Sequence, residues 1–89
     1  MEDKFIEDIR KHIVSSEVGW VEVPMNVFLK IWGISPRTYD KRMTENLLRF
    51  TKENNLGHVS VVRDNKVIAV RFWNIGSKEL LEEPDELQN

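Results

Sequence analysis

The hydrophobic positions of this chain keep a helical rhythm first and a strand rhythm later. In residues 3–14, Phe5, Ile6, Ile9 and Ile13 fall on one stripe, which predicts an amphipathic helix that Ser15 and Ser16 end. "GWVEVP" follows, and its Trp20, Val21 and Val23 favour a short strand. Pro24 closes that strand and suits the start of the next helix, where no N–H is needed. The next helix, "PMNVFLKIW", is short, and Gly33 stops it. From residue 34 to about residue 55 runs the strongest helical pattern. Ser35 can cap it and Pro36 fits its first helical position. At ~100° per residue, Tyr39, Met43, Leu47 and Phe50 share a core stripe roughly 80° wide.

The rhythm then changes. "GHVSVVRDNKVIAVRFW" reads as a β-hairpin turning at Asp64 and Asn65, two residues that tolerate positive φ. That turn sets Arg63 against Lys66, Val61 against Ile68, Val59 against Val70 and Gly57 against Phe72. The inward face then reads Val59, Val61, Ile68, Val70 and Phe72, with Val62 and Val67 as an outward apolar pair. Residues 77–89 contain Pro84 and a run of charge, so they read as a flexible acidic tail behind a domain of residues 1–76. The order helix, strand, helix, helix, strand, strand predicts an α+β fold. Three helices cover one face of a small antiparallel sheet, because a two-stranded ribbon alone is marginal.

Composition narrows the chemistry. The chain has 89 residues and no cysteine, so disulfides, thiolate catalysis and almost every structural zinc site are excluded. No apolar run approaches the ~20 residues of a membrane span, and a cytoplasmic location follows by default. No nucleophile–base–orienter set and no glycine-rich phosphate loop stands out, so the reading is non-enzymatic and needs no cofactor or metal. The net charge of −2 hides an asymmetry. Residues 1–29 carry three basic and six acidic side chains, whereas residues 30–71 carry nine basic and four acidic ones. A basic surface within an acidic chain is the implication.

"FLKIWGISPRTYDKRM" resembles the helix-turn-helix signature of DNA-binding proteins. Gly33 sits in the turn, Ile34 anchors it, Ser35 caps the second helix, and Tyr39 and Met43 follow at four-residue steps. Trp32 is bulkier than the residue usual before that glycine. The resemblance covers about residues 24–54, and the trailing hairpin extends it to the winged-helix family over roughly residues 20–73. It implies that the long helix enters the major groove of double-stranded DNA and that the hairpin is a wing.

All the basic residues of the long helix lie on one arc away from its core stripe. Under this resemblance Arg37, Thr38, Lys41 and Arg42 face base edges or flanking phosphates, with the two arginines the better guanine readers. Lys41, Arg49 and Lys52 suit phosphates, as do Arg63 and Lys66 at the wing tip, with Arg71 near them. Ser35 can cap the helix or donate to a phosphate, and Glu45 can pair with Arg49. The function implied is sequence-specific DNA binding by a small, nucleoid-associated transcriptional regulator. It would dimerise through the N-terminal helix or residues 74–83. Two alternatives share the same pattern: a winged-helix protein–protein interaction module, and a DNA-binding accessory factor in replication or plasmid partition.

Overall fold

Four phenylalanines meet at the centre of the molecule, one from each of three helices and one from a strand. Phe5 stacks on Phe50 with ring centroids 5.4 Å apart and meets Phe28 edge-on at 5.8 Å. Phe72 lies 5.9 Å from Phe50 and 6.3 Å from Phe28. All four are buried. In so small a chain, removing any one would cost about 3–5 kcal/mol.

The computed structural model describes residues 2–34 and 41–75. Its elements are α1 (Glu2–Ser15), β1 (Trp20–Pro24), α2 (Met25–Trp32), α3 (Lys41–Asn54), β2 (Leu56–Arg63) and β3 (Lys66–Asn74). The predicted element order is therefore observed, as an α+β fold of three helices and one antiparallel sheet. Ser35, Pro36 and Tyr39, at the expected start of the long helix, lie outside the described residues. Among the described residues no helix is long and apolar enough to cross a membrane.

Each helix is bounded as its residues dictate. Pro24 is both the last residue of β1 and the N-cap of α2, with φ −65° and ψ 152°. Gly33 takes φ 69°, and its N–H donates to the Leu29 carbonyl at 2.9 Å, ending α2. Asn55 does the same service after α3 with φ 55°. The Ile75 N–H then donates to the Asn55 carbonyl at 3.1 Å and ties the end of the sheet to that corner.

The sheet order is β1-β3-β2, so the last strand is the central one. β1 pairs with β3 in the register Val21 with Phe72, Glu22 with Arg71 and Val23 with Val70. Phe72, Val70 and Val23 are buried against the helices, so this face carries the core. The opposite face holds Trp20, Glu22, Arg71 and Trp73, with Arg71 bonded to Glu22 at 2.9 Å and stacked 4.1 Å over the Trp20 ring.

The hairpin departs from its expected register. The turn is as predicted: Asp64 and Asn65 have φ 54° and 63°, and Arg63 opposes Lys66. Val62 still opposes Val67, but Val61 opposes Ala69, which leaves Ile68 as an extra residue in a β-bulge. Beyond it every pair shifts by one. Val59 opposes Arg71 and is 49% exposed, while His58 opposes Phe72 and Ser60 opposes Val70. Two anchors account for this. Leu56 is buried in the core, which commits the even positions of β2 to the helix side. Gly57 meanwhile accommodates the Trp73 indole on the other side, where a Cβ would overlap it. Val67, expected to face outward, is half-buried against the core, whereas Val62 is 61% exposed.

Candidate nucleic-acid interface

The long helix divides its side chains cleanly. Met43, Leu47, Phe50 and Thr51 are buried, and the Thr51 hydroxyl donates back to the Leu47 carbonyl at 2.7 Å. Lys41, Arg42, Glu45, Leu48 and Lys52 are exposed. Lys41, Glu45, Leu48 and Lys52 follow one another at steps of three and four residues, so they share the solvent side of the helix. Lys41 and Lys52 make no ion pair among the described residues.

A second basic site sits at the hairpin tip. Arg63 and Lys66 are directly opposed across the turn and exposed, and neither has an ion-pair partner among the described residues. Like charges directly opposite destabilise a ladder. Asp64, in the turn itself, makes no ion pair with either of them. An anion bound at the tip would relieve the repulsion.

Arg49 is placed differently from the sequence expectation. Its guanidinium donates to the Glu2 carboxylate at 2.6 and 3.2 Å and to Glu53 at 3.1 Å. Glu2 also accepts the Trp32 indole N–H at 2.6 Å. One carboxylate thus joins the start of α1, the end of α2 and the third turn of α3. The Arg49 hydrogen bond holds the Glu2 carboxyl below its ordinary value, against the opposing effect of burial, and Trp32 adds to the lowering. The Glu2 carboxylate in turn pushes the Arg49 pKa up. Arg49 is therefore a clasp between helices, and a phosphate would have to compete with two carboxylates for it. Its partner is Glu2 together with Glu53, in place of the anticipated Glu45. Arg71, expected near the wing tip, is held by Glu22 and Trp20 well along the sheet.

Of the residues the sequence singled out, Lys41, Arg42 and Lys52 are exposed on α3, with Lys41 and Lys52 about 16 Å apart along its axis, and Arg63 and Lys66 oppose each other on the hairpin. Ser35, Arg37 and Thr38 lie outside the described residues. Two features escaped the sequence. Glu2 carries no signal of its role, because its partners are 30 and 47 positions away. Leu48 is 58% exposed in the middle of the basic side; at ~100° per residue it stands roughly 180° from Tyr39, opposite the core stripe, and that position is the available clue. Comparison with protein-family models, curated proteins and solved structures returns no match.

Proposed function

We propose that this chain is a winged-helix protein that binds double-stranded DNA and acts as a small transcriptional regulator. One observation carries the reading. An element order and a β1-β3-β2 sheet compatible with a winged helix go with exposed basic residues at the two places that fold would offer to a duplex. Those places are the solvent side of α3, with Lys41, Arg42 and Lys52, and the hairpin tip, with Arg63 and Lys66. α3 lies in the major groove and the tip meets a flanking phosphate.

The reading has a quantitative form. Four phosphate contacts from Lys41, Lys52, Arg63 and Lys66 give a slope of log affinity against log salt of about −3.6. Raising salt from 50 to 200 mM then weakens binding roughly 150-fold. Fluorescence anisotropy on a labelled mixed-sequence duplex measures this directly. Lys41→Ala/Lys52→Ala should flatten the slope by about 1.8. No detectable binding at low salt, or a slope the double variant leaves unchanged, overturns the proposal.

A further inference from the structure

The side of the sheet turned away from the helices has two chemically distinct ends. At one end the register sets Trp20 beside Trp73, and Trp73 beside Gly57. Glu22 and Arg71 form the next row. β2 keeps its alternation past the bulge, because the extra residue belongs to β3. Arg63 therefore shares this face with Gly57, and Lys66, opposite Arg63, completes the far end at the hairpin tip. At about 3.4 Å per residue, the indoles and the tip cations stand ~20 Å apart along β2.

The aromatic end presents flat surfaces. The Trp73 indole lies so close over Gly57 that a Cβ there would overlap it. Gly57 is buried beneath the ring, while Trp73 itself is half-buried. The ring is thus covered on the side of the strand and open on the other. Trp20 carries the Arg71 guanidinium 4.1 Å from its ring centre, and Glu22 fixes that guanidinium at 2.9 Å. Arg71 is 40% exposed, so its plane is a second flat surface beside the first. Glu22, the carboxylate of this face, is already held by Arg71. Arg63 and Lys66 have no ion-pair partner among the described residues, so the tip end is open to an anion.

A ligand for this face has to bring flat rings to one end and negative charge to the other. A duplex does not, since its base faces are stacked inside and its outside offers phosphates and base edges. A single strand does, because every unit carries a base with open faces and a phosphate. We infer that the outer face of the sheet binds single-stranded nucleic acid. Bases stack on Trp73 and on the Arg71 guanidinium that covers Trp20, and the backbone runs towards Arg63 and Lys66. The length of the face suits about four to six nucleotides. The site goes beyond the duplex reading. α3 packs on the other side of the sheet, where Phe50 meets Phe72. Trp20, Arg71 and Trp73 therefore belong to the single-strand site alone, and Arg63 and Lys66 are common to both.

The test uses the full chain, isotopically labelled, with an oligothymidylate and an oligouridylate of about six nucleotides at low salt. The tighter of the two tells DNA from RNA. Indole N–H signals report the site directly. Those of Trp20 and Trp73 should move and saturate, whereas that of Trp32, donated to Glu2 between the helices, should stay in place. An abasic strand of the same length has the phosphates without the rings and should bind at least roughly tenfold more weakly. Trp73→Leu keeps an apolar cover over Gly57, and Arg71→Lys keeps the charge beside Glu22, but each removes a flat surface. Each should weaken the pyrimidine strand about tenfold, leave duplex affinity unchanged, and keep the Trp32 signal of the folded protein. Four outcomes overturn the proposal. They are absence of saturable shifts up to about 1 mM strand, equal binding of the abasic strand, shifts confined to α3, and equal displacement by a glutamate–leucine peptide of the same charge. Equal binding of the abasic strand would assign the interaction to charge alone, and displacement by the peptide would make the face a site for acidic protein segments. Duplex binding is read separately, so either surface can fail while the other stands.

Discussion

Glu2→Ala is the substitution through which the helical layer can be interrogated most sharply. The Glu2 carboxylate receives two N–H groups from Arg49 and one from Trp32, and it is the point where three helices are joined. The ion pair is partly solvated, with side-chain exposures of 41% and 31%, so it contributes only about 0.5–1 kcal/mol. The half-buried Trp32 N–H left without its acceptor costs about 1 kcal/mol more. Together they predict a loss of about 1.5–2 kcal/mol, or roughly 6–16 °C in the midpoint of a domain this size. Urea and thermal denaturation followed by circular dichroism measure it. Glu2→Gln dissects the sum, because its carbonyl still accepts the indole N–H while the charge is gone. The acid limb adds a second check. The folded-state pKa of Glu2 lies below its ordinary 4.5. The stability it contributes is therefore fully present above pH 4.5 and disappears as pH falls through the lowered value. Wild type and Glu2→Gln should thus converge in acid. A loss under about 0.3 kcal/mol, or no coupling to either Arg49→Met or Trp32→Phe in double-mutant cycles, would refute the clasp.

Two further outcomes follow from the sheet. Gly57→Ala forces the Trp73 indole off β2 and should cost about 1–3 kcal/mol by urea denaturation, a penalty that largely vanishes in a Trp73→Ala background. His58 sits on the helix side beside Phe72, and burial lowers its pKa from 6.5. The stability tied to its neutral form is present above pH 6.5 and lost as pH falls through the folded value. His58→Leu should therefore remove that part of the pH dependence between pH 7 and 5, and parallel stability profiles for the two proteins would contradict it.

The elements were legible in the sequence because local signals and tertiary demands agree. Pro24, Gly33 and the Asp64–Asn65 turn each stand where backbone chemistry needs them, and Phe5, Met43, Leu47 and Phe50 carry helical spacing to the core. The hairpin register was not legible. Alternation of Val59, Val61, Val70 and Phe72 argued for one pairing, but Leu56 at the strand's start and the Trp73 ring at its end argue for the other. Both lie beyond the window in which the alternation is strongest. The clasp was invisible for a related reason: an ion pair across 47 positions leaves no trace in local spacing. Arg49 looked available for a phosphate because its helix was read without the one that covers its flank.

The bulge at Ile68 also bears on how this protein can vary in length. Val62 opposes Val67 on one side of it and Val61 opposes Ala69 on the other. Excising Ile68 would merge the two ladders and leave each of those partners unchanged. Most single-residue deletions in a strand invert the faces of everything that follows. Here a shorter chain and the present one share the same cross-strand neighbours, so this position is where the hairpin can lose a residue and keep its fold.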